Sequence, residues 1–185
     1  MVNFTSWHEI RNKQRKETEV INKLLEPPST PITLSKEGTK EYERIQETIA
    51  TLLKKMEQGA RESQYRTAIA NALKAQGYEV SEETPIAYMM EGKKLGRGIT
   101  DIQARGPNGL IVLELKVSGM KKGFYQLWRY LESLKNPVGF LVYISQSKGL
   151  SLNMMIRDDE ENAWYCYTGK EIRKMNLEVL TDKES

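Results

Sequence analysis

At 185 residues, with 29% charged and 8% aromatic side chains and a net charge of +3, the chain has the composition of one soluble domain with a sizeable core. The mild positive charge is compatible with a nucleic-acid partner but does not require one. One cysteine and one histidine exclude an intrachain disulfide, a thiolate zinc or iron–sulfur site built by this chain alone, and HExxH chemistry; a metal here should be hard and oxygen-ligated, as magnesium or manganese is.

No apolar run approaches the ~20 residues of a membrane helix. The first residues lack a signal peptide's apolar stretch, so an intracellular, cytoplasmic protein with no membrane partner is expected. The chain reads as three stretches: a helical extension over 1–58, a core over 59–148, and 149–185 completing that core with a strand and a helix.

In the first stretch, Ser6 and Glu9 have the spacing of a capping box for a helix running to about Leu25, with a sparse stripe of Trp7, Ile10, Val20, Ile21 and Leu24. Pro27-Pro28-Ser29-Thr30-Pro31 interrupts it. A second helix carries Tyr42, Ile45, Ile49, Leu52, Leu53 and Met56 at helical spacing, which gives it one buried face. Such a pair reads as an accessory hairpin, as an arm for DNA, or as a dimerisation element.

A third helix is predicted from Ala60 to Ala75, capped by Gly77, with Glu62, Tyr65, Ile69 and Ala72 on one stripe. A glutamate in a first helical turn is ordinarily just a favourable dipole contact. A strand follows over Glu83–Met90, then the basic, glycine-rich connection Glu91–Gly98.

Next comes a hairpin, G-I-T-D-I-Q-A-R-G-P-N-G-L-I-V-L-E-L-K-V, turning at Gly106-Pro107-Asn108-Gly109. If it folds symmetrically about the Pro107–Asn108 bond, Asp101 lies opposite Glu114, and Lys116 shares Glu114's face. The second strand is otherwise apolar from Leu110 to Val117, so it should be buried on both faces. Two carboxylates there repel unless a cation or a proton stands between them. The trio reads either as a structural ion-pair network, as a wet strand end, or as a site. Burying ions is a poor way to stabilise a sheet, because desolvation roughly cancels the attraction.

A helix over Lys121–Leu134 and a buried strand over Val138–Ile144 follow; the helix acts as a crossover, so this strand should run parallel to a neighbour. Beyond it, Asn162–Tyr167 reads as an edge strand and Gly169–Leu177 as a short helix.

Asp101, Glu114-Leu115-Lys116 and this αβββαβ order resemble the PD-(D/E)XK nuclease superfamily over about residues 59–148. Gly59-Ala60-Arg61-Glu62-Ser63-Gln64-Tyr65 loosely resembles its GxxExxY subgroup, and Gln126-Leu127-Trp128-Arg129-Tyr130 is similar to the QxxxY element of RecB-like exonucleases and related branches. Thr100 stands where the name-giving proline would be.

The resemblance implies an α/β, restriction-endonuclease-like fold: a mixed central sheet flanked by helices, with an N-terminal helical extension. It implies a deoxyribonuclease using Mg²⁺ or Mn²⁺, held by Asp101, Glu114 and the Leu115 carbonyl. Glu62 would complete that shell or help hold a second ion, and Lys116 would orient the water. Lys93, Lys94, Arg97, Lys121, Lys122 and Arg129 would neutralise phosphates of single- or double-stranded DNA, and Gln126 and Tyr130 would touch the nucleic-acid backbone or the carboxylates. A homodimer is the arrangement such folds often use to cut both strands. The competing readings are an inactive copy of the fold that binds nucleic acid or a protein, and an interaction module whose charged trio is only structural.

Overall fold

The computed structural model describes residues 7–28, 33–90, 93–135, 138–147 and 149–182. Its elements are α1 (Trp7–Leu24), α2 (Lys36–Lys55), α3 (Glu62–Ala75), β1 (Glu79–Met90), β2 (Lys93–Gly106), β3 (Gly109–Lys116), α4 (Met120–Leu134), β4 (Val138–Ile144), β5 (Leu150–Asp158), β6 (Ala163–Tyr167), β7 (Ile172–Lys174) and α5 (Leu177–Thr181). The αβββαβ order is present as α3-β1-β2-β3-α4-β4. All seven strands form one mixed sheet in chain order. Every neighbouring pair is antiparallel except β3 and β4, which are parallel because α4 carries the chain back across the sheet.

Two apolar layers sandwich the sheet. Ile102, Ile111, Leu113, Leu115 and Val142 face α2 and α3, where Ile45, Ile49, Tyr65 and Ile69 complete the packing. Val112, Leu141, Tyr143 and Met155 face α4 and the end of α1, against Phe124, Leu127, Tyr130 and Leu24. Strand β3 feeds both layers by strict alternation. Two glycines let α4 approach closely: a Cβ at Gly123 would stand 2.8 Å from Lys116 Cγ, and one at Gly139 would stand 2.8 Å from the Leu127 and Leu131 methyls.

The hairpin register matches the expectation residue for residue, from Gly106–Gly109 through Ile102–Leu113. Helix α2 buries Tyr42, Ile45, Ile49 and Leu53 as its spacing predicts. Gly77 follows α3 at φ +95°, a conformation that favours glycine. The Ser6–Glu9 capping box and the side chains of Trp7 and Ile10 lie outside the described residues.

The last stretch corrects the sequence reading. Strand β5 was not foreseen, because Ser151, Asn153 and Arg157 interrupt its apolar residues. Strand β6 is not the sheet edge; β7 is. The segment expected as a helix over Gly169–Leu177 instead supplies β7, since Gly169 at φ +95° turns the chain back and β6 has an open side to pair. The helix, α5, begins only at Leu177, where the Asn176 side chain accepts from the Val179 N–H at 3.4 Å. Strand β1 begins at Glu79, four residues before the expected start. Arg173 of β7 also donates to the Glu26 and Leu25 carbonyls at 2.8 and 2.9 Å, which ties the end of α1 to the sheet.

Candidate active site

Strands β1 and β2 are longer than β3, and their distal halves pair only with each other. The β2–β3 ladder ends at Ile102–Leu113. Just beyond that end, Asp101 is the next residue of β2, and its Oδ2 accepts from the Leu115 N–H of β3 at 2.8 Å. This bond fixes the Asp101 carboxyl where the strands part. Glu114 and Lys116 alternate with Leu113 and Leu115, so both project toward α4.

Glu114 is 3% exposed. Its Oε1 lies 3.6 Å from Lys116 Nζ, and its Oε2 is shielded from solvent with no hydrogen-bond partner. Burial, then the charge of Asp101, pushes the Glu114 carboxyl up to about 9; Lys116 opposes this and the charge of Glu62 adds to it. A buried carboxyl beside a second carboxyl therefore keeps its proton at neutral pH unless more positive charge arrives.

Glu62 opens α3, half-buried, close enough for its charge to be felt at Glu114. It does not join Asp101 and Glu114 in a tight set: among the described residues no group of three or more His, Cys, Asp or Glu side chains is gathered to hold an ion. Between the start of α3 and the C-terminal ends of β3 and β4 lies a cavity of about 320 Å³, lined by Gly59, Tyr65, Val117, Ser118 and Ile144. The ends of parallel strands are where α/β sheets commonly receive ligands.

Helix α4 closes the other side. Tyr130 is 4% exposed, and burial together with the nearby charges of Glu114 and Asp101 raises its phenol. Gln126 comes one turn earlier, and its Oε1 is shielded and without a partner. Tyr88, which the sequence reading did not single out, stacks on Tyr130 with ring centroids 6.0 Å apart and planes 11° from parallel. Its ring lies over Gly96 and Gly98; a Cβ at Gly98 would collide with Tyr88 and stand 2.9 Å from Tyr130 Cε1. The alternating Gly-Arg-Gly opposite an inward-facing tyrosine was the available signal for this stack.

The expected cations are more dispersed. Lys93, Lys94 and Arg97 are exposed on the β1–β2 arm, and Lys122 is exposed at the start of α4. Lys121 donates to the Asp182 carbonyl at 2.9 Å. Arg129 lies 3.9 Å over the Tyr88 ring. Arg66, beside Glu62, is engaged with Glu82 and Glu83 at 3.7 and 3.4 Å.

The donor set suits a hard divalent cation. Its ligands would be carboxylate oxygens, one of them buried and unpartnered, held beside a second carboxyl whose charge they must tolerate. No helix among the described residues is long and apolar enough to cross a membrane.

The sequence model of the PD-(D/E)XK nuclease superfamily matches residues 39–152. That span runs from within α2 to within β5 and includes every residue of the carboxylate site. No curated protein matches the chain.

Proposed function

The chain belongs to the PD-(D/E)XK nuclease superfamily, and from that premise we propose that it is a metal-dependent deoxyribonuclease with Asp101, Glu114 and Lys116 at its centre. The observation that carries the reading is the buried Glu114 carboxyl, held against Asp101 with one oxygen left without a partner. The like charge of Asp101 beside that oxygen is what a proton or a cation would have to relieve.

Asp101, Glu114 and the Leu115 carbonyl would hold Mg²⁺ or Mn²⁺, with Glu62 reaching the ion through water. The bound ion would supply positive charge at the phosphate and acidify a coordinated water. The rest belongs to the chain. The Leu115 N–H holds the Asp101 carboxylate in place, so the site is oriented before substrate enters. Lys116, 15% exposed and 3.6 Å from Glu114, would offset developing negative charge and orient the attacking water. Tyr130 brings a hydroxyl from α4 within electrostatic reach of Glu114, and Gln126, one turn earlier, would add an amide to the nucleic-acid contacts. The exposed Lys93, Lys94, Arg97 and Lys122 would neutralise DNA phosphates, which makes binding salt-dependent.

Among the described residues no third carboxylate is gathered with Asp101 and Glu114, and this favours a second reading, an inactive copy of the fold that still binds nucleic acid or a protein. Incubating linear, circular and single-stranded DNA with the protein in Mg²⁺, Mn²⁺ or EDTA decides between them. Divalent-dependent cleavage that disappears in Asp101→Ala supports the enzyme. Binding without cleavage, unchanged by that substitution, overturns it.

A further inference from the structure

A second concave feature begins one aromatic ring away from the carboxylates. It is a groove of about 650 Å³ between the outer side of α4 and the β1–β2 arm, lined among others by Tyr88, Leu95, Trp128, Arg129 and Lys135. Tyr88 forms its inner wall, with Tyr130 stacked on one side and the Arg129 guanidinium 3.9 Å from the ring centroid. Tyr125 and Trp128 continue the aromatic surface with centroids 6.1 Å apart.

Three observations define what fits. First, the groove's three cations outnumber its two carboxylates: Arg157 alone serves both, 3.9 Å from Glu132 and 3.6 Å from Asp159. Arg129 and Lys135 have no carboxylate partner among the described residues, so the remaining charge is positive. Arg129 gives one N–H to Tyr125 Oη at 3.4 Å and keeps others for an anion. Second, the Trp128 indole N–H is shielded from solvent yet has no acceptor. A buried indole N–H ordinarily finds one. Third, the exposed large apolar side chains of the described residues, Met89, Leu95 and Ile99, all sit on this arm, and Leu95 is 56% exposed. Flat rings, a spare indole donor and unpaired cations form a surface on which bases stack while phosphates meet the cations.

We propose that this groove binds unpaired bases and phosphates of a single-stranded segment of the nucleic acid, leading it past Tyr88 and Tyr130 to the carboxylates. The choice of a nucleic-acid occupant rests on the nuclease reading above. Trp128 and the Arg129–Tyr88 pair supply the stacking faces. Lys135 and the outward donors of Arg129 take phosphates.

The test uses the full chain in EDTA, where nothing is cleaved, with a single-stranded oligothymidylate and a blunt duplex as probes. The single strand quenches tryptophan emission, and Trp128→Phe abolishes the quench while Trp164 remains as an internal control. Trp128→Ala weakens single-strand affinity about five- to a hundredfold, the range for one stacked base. Arg129→Gln lowers the slope of log Kd against log salt by about 0.7, the loss of one phosphate contact to a single strand. Lys135→Gln, at an exposed position, repeats that change without touching the packing. Unaltered melting curves establish that the variants fold. Equal oligonucleotide affinity in all variants overturns the proposal, as does binding confined to the duplex. Self-association lost in Leu95→Asp, with oligonucleotide binding untouched, assigns the groove to protein contact and also overturns it. Cleavage assays in Mg²⁺ separate this inference from the nuclease reading: binding through Trp128 by a parent chain that never cleaves sinks only the latter, and cleavage with normal binding by groove variants sinks only the former.

Discussion

Two buried glutamates lie at opposite ends of the β2–β3 hairpin, and their surroundings differ in one decisive respect. Glu41, on α2 near the hairpin turn, is 4% exposed, and Glu114 is 3% exposed; each has one shielded oxygen without a partner. Around Glu41 the neighbours are donors: the Tyr78 hydroxyl at 3.1 Å and Arg44 at 3.9 Å. Around Glu114, besides Lys116, the charge felt most is that of another carboxyl, Asp101. Burial by itself therefore does not mark a reactive site. Burial beside a like charge does, because only an added proton or cation relieves it.

That contrast breaks most sharply at Asp101. Asp101→Ala removes a proposed ligand and the acceptor of the Leu115 N–H together, and should lower Mg²⁺-dependent DNA cleavage by at least about a hundredfold. Lys116→Ala should lose a comparable factor, whereas substitutions around Glu41 should leave single-turnover rates on linear DNA alone. Cleavage that survives Asp101→Ala removes the distinction between the two glutamates.

The next largest effect is on stability against pH. The Glu114 carboxyl titrates near 4.5 when unfolded and is pushed up to about 9 when folded. Between those values the folded chain retains a proton that the unfolded chain has released. Metal-free stability should therefore be full below about pH 4.5 as far as this group is concerned, and fall as pH rises toward 9. The slope is at most about 1.4 kcal/mol per pH unit. Glu114→Gln should flatten this slope and leave the metal-free protein more stable than the parent at pH 8. Mg²⁺ should stabilise the parent increasingly across the same window and leave the Gln variant unmoved. Chemical denaturation in EDTA and in Mg²⁺ at several pH values reads all three.

The Glu114 side of this contrast was legible in the sequence, for identifiable reasons; the Glu41 side was not. The Gly-Pro-Asn-Gly turn fixes the hairpin register, and once the register is set the period of two places Asp101, Glu114 and Lys116 on one face. The β3 run from Leu110 to Leu115 is apolar at both parities apart from Glu114, so burial of that carboxyl followed directly. What local pattern could not supply was anything depending on distant packing. Tyr88 becomes important only because α4 lays Tyr130 and Arg129 on it. Strand β7 forms because β6 offers an open side, a fact absent from the residues of Gly169–Leu177 themselves. Glu41 escaped notice because its burial depends on Tyr78, 37 residues away.

The two smallest effects probe the Glu41 end and should differ from each other. Tyr78→Phe keeps the ring, which packs over Gly106 where a Cβ would collide with it, and deletes only the hydroxyl. That leaves a buried carboxylate without its closest donor and should cost about 1–3 kcal/mol in denaturant unfolding. Arg44→Gln removes the formal charge partner, yet the arginine side chain is 45% exposed and 3.9 Å away, so solvent screens it and the loss should stay below about 1 kcal/mol. Neither change should tilt the pH slope assigned to Glu114. The ordering is the sharp part: if Arg44→Gln proves the more damaging, Glu41 depends on ionic pairing rather than on a hydroxyl donor. The two ends of the hairpin would then both be solving the problem of buried charge with a cation.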